Sequence, residues 1–146
     1  MVTFGELIEK LGERLGVEIE DAGGAFALEI DGETVVLQQA NDDLVFVRAD
    51  LGEIPPDRRD AFAAAALEAN FLYRGTGGAT LAVNPNDGHL HLQKYNWLER
   101  MDTDKALDML SRFIETIATW KRLVAEVPAA ETSALPEFNR ESLMQV

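Results

Sequence analysis

Apolar and charged positions at the start of the chain follow a helical period. Phe4, Leu7, Ile8, Leu11 and Leu15 recur at steps of three and four, while Glu6, Glu9, Lys10, Glu13 and Arg14 occupy the other face. Thr3 and Glu6 have capping-box spacing, and Gly16 is placed to stop the helix. Past Val17 to Gly24 the period falls to two. Phe26, Leu28 and Ile30 alternate to one face, and Asp31-Gly32 supplies the two positive-φ residues that a tight hairpin prefers. Residues 33–39, with the apolar run Val35, Val36 and Leu37, return as a second strand. After a turn at residues 40–43, residues 44–48 form a third, which predicts a meander of three antiparallel strands.

Residues 52–57 break the pattern with Pro55 and Pro56, which cannot donate to a ladder and suit a helix start. Residues 61–72 then offer good helix formers, with Phe62, Ala65, Ala66, Ala69 and Leu72 at helical spacing. Gly75, Gly77 and Gly78 end that helix. Strands over residues 79–83 and 89–95 flank a Pro85-Asn86-Asp87-Gly88 turn. Asp102 is placed to cap a last helix, in which Leu107, Leu110, Phe113 or Ile114, Ile117, Trp120 and Val124 continue the stripe. About 22 residues would make it about 33 Å long. From residue 125 onward prolines, alanines and four glutamates replace the periodicity. The pattern gives an α/β (α+β) protein of order α-β-β-β-α-β-β-α, one sheet covered by helices. It comprises one domain over residues 1–124 and a flexible acidic tail over residues 125–146.

Composition sharpens this picture mainly through charge. The 146 residues carry a formal net charge of −13, and it is unevenly spread. Residues 1–60 hold 15 Asp and Glu against 5 Lys and Arg, whereas residues 61–146 hold 11 against 8. A nucleic-acid backbone or an anionic membrane surface would be repelled, while a basic or amphipathic protein would be attracted. No cysteine is present, which excludes disulfides and thiolate chemistry and is compatible with a cytoplasmic location. No run approaches the roughly 18 apolar residues that would span a bilayer. The N-terminus lacks a positive residue before Lys10, unlike a secretory signal.

Candidate chemistry is sparse. A phosphate loop needs its glycines to lead into a helix followed by a lysine, and here they follow a helix and lead into a strand. His89 and His91 share one face of a strand, but no third zinc ligand stands at readable spacing, which favours packing histidines. Asp42 and Asp43 suit a turn, and Asp102 and Asp104 suit a helix start. No nucleophile–base constellation stands out. The expectation is therefore a protein without catalysis, cofactor, metal or small-molecule substrate.

A helix ending Leu67-Glu68-Ala69-Asn70, a hinge Gly75-Thr76-Gly77-Gly78-Ala79-Thr80-Leu81, an Asp-Gly hairpin and a long last helix resemble the class I type III secretion chaperones, the Tir-chaperone-like family. The matching order runs from about Phe4 to Val124. The resemblance implies a cytoplasmic homodimer that binds the N-terminal segment of a secreted effector and keeps it non-globular, without ATP. Client contacts are then expected at Phe4, Leu7, Ile8 and Leu11 of the first helix and at Phe26, Leu28, Ile30, Val35 and Leu37 of the first hairpins. Some of these must be core. The dimer interface is expected at Phe62, Ala65, Ala66, Ala69, Ala79 and Leu81. Two other readings fit the same sequence: an adaptor or regulator of this fold without a secretion client, and an acidic inhibitor of a basic nucleic-acid-binding protein.

Overall fold

The computed structural model describes residues 2–126, so the predicted acidic tail lies almost wholly outside the described residues. Its helices are α1 (Phe4–Leu15), α2 (Arg59–Asn70) and α3 (Thr103–Glu126). Its strands are β1 (Glu20–Ala22), β2 (Ala25–Ile30), β3 (Glu33–Gln39), β4 (Leu44–Glu53), β5 (Thr80–Val83) and β6 (His89–Trp97). They form one sheet in the order β1-β2-β3-β4-β6-β5. The predicted α+β class holds, with one strand more than expected. The described chain divides into two compact units, residues 2–49 with 94–115, and residues 50–93 with 116–126.

In the first unit the capping box forms as the sequence predicts. The Thr3 hydroxyl accepts from the Glu6 N–H and the Glu6 carboxylate accepts from the Thr3 N–H. Gly16 closes α1 at φ 65°, donating its N–H to the Gly12 carbonyl. Asp31 and Gly32 take φ 52° and 81° between β2 and β3, which sets Leu28 opposite Val35 and Phe26 opposite Leu37. Phe4 packs edge-on against Phe26, with ring centroids 5.6 Å apart. The unpredicted β1 pairs with β2 across a Gly23-Gly24 turn and is exposed at all three residues. Strand β4 runs to Glu53 rather than stopping at Arg48, because Ala49 and Leu51 continue the buried alternation of Val45 and Val47. Asp102 caps α3 by accepting from the Lys105 N–H.

The second unit contains the glycine hinge. Pro56 opens a short 3-10 turn that runs directly into α2, which starts at Arg59, not at residue 61. The helix ends at Asn70 rather than at Leu72, since Leu72 and Tyr73 adopt left-handed φ of 55° and 57°. Asn70 has a specific task there. Its amide oxygen accepts from the Leu81 N–H at 2.9 Å and its amide nitrogen donates to the Leu81 carbonyl at 3.1 Å, so the side chain pairs with β5 as a neighbouring strand would. Thr76 is buried, its hydroxyl donating to the Ala79 carbonyl. Gly77 sits at φ 60°, where a Cβ would meet the Thr116 hydroxyl at 2.9 Å. Trp120 of α3 donates its indole N–H to the Gly75 carbonyl. The β5–β6 hairpin sets Leu81 opposite Leu92 and Val83 opposite Leu90.

Candidate protein-docking surfaces and a titratable cluster

The client-contact residues expected from the sequence divide sharply by burial. Phe4, Leu7, Ile8, Leu11, Leu28, Val35 and Leu37 are all core residues, and only Phe26 and Ile30 keep partial exposure. The accessible feature beside them is a groove of about 420 Å³ that Ile19, Ala27, Leu28 and Thr34 line together with Glu18, Glu20 and Glu29. It lies next to β1, the strand at one end of the sheet order. An edge strand presents a row of backbone donors and acceptors to any extended segment alongside it. The sequence pattern predicts neither the groove nor β1. The signal available for β1 was only the Gly23-Gly24 turn, since Glu20-Asp21-Ala22 has no apolar alternation.

The expected dimer residues behave similarly. Phe62, Ala65, Ala66, Ala69, Ala79 and Leu81 are buried. Beside them runs an apolar groove of about 240 Å³ between α2 and β5, floored by Phe62, Ala66, Leu81 and Leu90. Leu67 and Val83 stand at its rim, 72% and 50% exposed. Phe71, Leu72 and Tyr73 follow on the turn after α2, each about half exposed. Isolated apolar residues on a surface are ordinary, but five within seventeen positions of one unit make a patch of the kind that marks a protein contact. The sequence carried a signal for it in Leu67, an apolar residue outside the spacing of Phe62, Ala65, Ala66 and Ala69.

A third feature collects charge. Asp50 on β4, Asp87 in the β5–β6 turn and His89 and His91 on β6 converge within the second unit. His89 Nδ1 lies 2.8 Å from Asp50 Oδ2, and Asp87 Oδ2 lies 3.8 Å from His91 Nε2 and 4.0 Å from His89 Nδ1. The His89 pKa is raised by its hydrogen bond to Asp50, against an opposing desolvation effect. For Asp50, partial burial pushes the pKa up, but the Gly52 N–H and the His89 ring outweigh it and hold the carboxyl below its ordinary value.

Nothing in these surfaces forms a nucleophile with its base, and their exposed apolar and edge-strand character suits protein docking. Among the described residues, no helix is long and apolar enough to cross a membrane. Among curated proteins, no sequence matches this chain. Solved structures that share the fold include three complexes. The HopA1–SchA chaperone–effector complex contains a chain with TM-score 0.65 and 15% identity, covering 82% of this chain and 93% of that one. The Yersinia pestis type III secretion chaperone SycH, solved with a stable fragment of YscM2, gives 0.64 and 21%, covering 81% and 99%. The heterodimeric ExoU–SpcU complex from the type III secretion system of Pseudomonas aeruginosa gives 0.62 and 18%, covering 81% and 95%. The model of the Tir chaperone protein (CesT) family matches residues 6–121, nearly the whole described fold from α1 to the end of α3, and the chain belongs to that family.

Proposed function

We propose that this protein is a cytoplasmic type III secretion chaperone, a homodimer that holds the N-terminal segment of one secreted effector in a non-globular state for export, without ATP. The observation that carries the reading is the family match over residues 6–121. The similar chain solved in the HopA1–SchA chaperone–effector complex supports the same kind of partner. On this reading the client segment runs along the exposed β1 edge and sets apolar side chains against Phe26, Ile30 and the neighbouring groove. The buried Phe4, Leu7, Ile8, Leu11, Leu28, Val35 and Leu37 hold that surface in shape from beneath. Strand addition would satisfy backbone hydrogen bonds on both partners, and spaced apolar pockets would give specificity. Ordering the client costs about 2–5 kcal/mol or more, so the contact must be extensive. Glu18, Glu20 and Glu29 around the groove favour a client segment with basic residues. The patch of Leu67, Phe71, Leu72, Tyr73 and Val83, with the groove above Phe62 and Ala66, forms the dimer contact.

The deciding experiment is co-expression of the chain with its neighbouring open reading frames, followed by light scattering on the purified complex. Two chains holding one client segment, itself protease-sensitive when alone, is the expected result. A stable dimer that captures nothing would overturn the chaperone reading and leave an adaptor of the same fold. A monomer would remove the dimer as well.

A further inference from the structure

We propose that Asp50, Asp87 and His91 form a binding site for a single divalent transition-metal ion of the zinc type, with His89 as its positioning residue. One ligand atom from each of the three lies within 4.8 Å of the other two. Zinc binds imidazole nitrogen and carboxylate oxygen at about 2.0–2.2 Å, so its ligands in a tetrahedral site stand about 3.4 Å apart. The 3.8 Å between His91 Nε2 and Asp87 Oδ2 needs only a small contraction to reach that spacing, and the other pairs, within 4.8 Å, need about 1.4 Å at most. Rotation of two part-exposed carboxylates supplies it.

The local backbone has already aimed these groups. Asp87 Oδ1 accepts the His89 N–H at 2.8 Å, and Asp50 Oδ1 accepts the Gly52 N–H at 2.8 Å. Asp87 therefore has one oxygen fixed by the main chain and the other turned toward the histidines, while Asp50 has one oxygen fixed by the main chain and both within reach of His89 Nδ1. The His89 ring lies against Asp50, with Nδ1 2.8 and 3.0 Å from its two oxygens, and this orients Asp50 as outer partners of metal ligands do. His91 gives the independent indication. Its side chain is only 12% exposed, and its Nε2 is enclosed yet has no hydrogen-bond partner. A buried polar atom left unpaired is costly, and coordination would satisfy it. The donor set chooses the ion. Carboxylates alone would suit magnesium or calcium, whereas an imidazole with two carboxylates suits zinc and its neighbours. The proposal is independent of the chaperone reading, since every group in it belongs to the hairpin and to β4.

The test uses the full chain stripped with EDTA and titrated with zinc chloride by calorimetry, with cobalt(II) as the visible-absorption probe. One zinc ion per chain is expected, with a melting temperature that rises with free zinc as mass action requires. The cobalt spectrum should show low-symmetry coordination by nitrogen and oxygen. Asp87→Asn keeps the acceptor for the His89 N–H and lies in an exposed turn, so it should fold and lose about tenfold or more in affinity. His91→Ala should do the same, and His89→Gln should weaken binding about tenfold without changing the stoichiometry. Circular dichroism of the stripped variants separates loss of fold from loss of site, and His91→Asn replaces His91→Ala if that variant does not fold. Absence of saturable binding would overturn the proposal. So would equal binding by the parent and Asp87→Asn, which would assign the ion to scattered surface carboxylates.

Discussion

Gly77 carries two constraints at once, a left-handed φ of 60° and a space in which a Cβ would stand 2.9 Å from the Thr116 hydroxyl. Gly23 has a similar φ of 70° but nothing within reach of a Cβ. Gly23→Ala should therefore cost only the backbone strain, about 1 kcal/mol, whereas Gly77→Ala should cost about 2–4 kcal/mol. Urea unfolding of the two variants side by side checks this, and equal losses would show that the hinge yields. The His89–Asp50 pair makes a second prediction at this scale. A histidine with a raised pKa stabilises the fold fully below its unfolded value, about 6.5, and that contribution is lost as pH climbs through the folded pKa. Asp50, with a lowered pKa, contributes above its unfolded value, about 3.9, and loses that as pH falls through the folded one. In EDTA the melting-temperature gap between the parent and His89→Gln should thus be widest near pH 5–6 and shrink by pH 8. A gap that grows toward pH 8 would contradict this assignment.

Among the elements, helical spacing located α1 and α2 but did not separate contact residues from core. A side chain that recurs every three or four positions faces the protein's own interior, which is where Leu7, Leu11, Phe62 and Ala69 lie. Capping and turn chemistry was the more exact guide. Thr3 with Glu6, Gly16, Asp31-Gly32 and Asp102 each act where the sequence places them. Strand β1 leaves no apolar alternation in the sequence because its residues are all exposed, and α2 ends before its apolar spacing does because Leu72 leaves helical φ while keeping an apolar side chain. The contrast between interior and rim can be measured. Leu28→Asp places an unpaired charge at a core position opposite Val35 and should unfold the chain, since its cost rivals the whole stability of a domain of this size. Leu67→Asp should keep its circular-dichroism melt within about 0.5 kcal/mol of the parent monomer and, on the proposed function, abolish the dimer in light scattering. A dimer that survives Leu67→Asp together with Val83→Asp would move the interface elsewhere.

For the molecule as a whole, element types, their order and the family were legible from local pattern, while the convergence of distant residues was not. Asp50 and His89 are 39 positions apart, and nothing in their neighbourhoods announces that β4 will lie beside β6. The same holds for Asn70, whose pairing with Leu81 spans the hinge. Charge was legible as a total of −13, but its placement around the groove of Glu18, Glu20 and Glu29 depends on how β1 and β2 pair.

The interleaving of the two units along the chain bears on how the protein is made. Residues 50–93 supply most of the second unit as one uninterrupted run, and the first unit is assembled from residues up to 49 and from 94–115. During vectorial synthesis the N-terminal piece must wait on the ribosome while the whole central hairpin and α2 emerge. Only once residue 115 has left the exit tunnel can the first unit close. Until then Leu7, Leu11, Leu28 and Leu37, buried in the finished fold, belong to a unit that still lacks residues 94–115. The nascent chain is thus most exposed to aggregation midway through translation, and the emergence of α3 as far as residue 115 ends that interval.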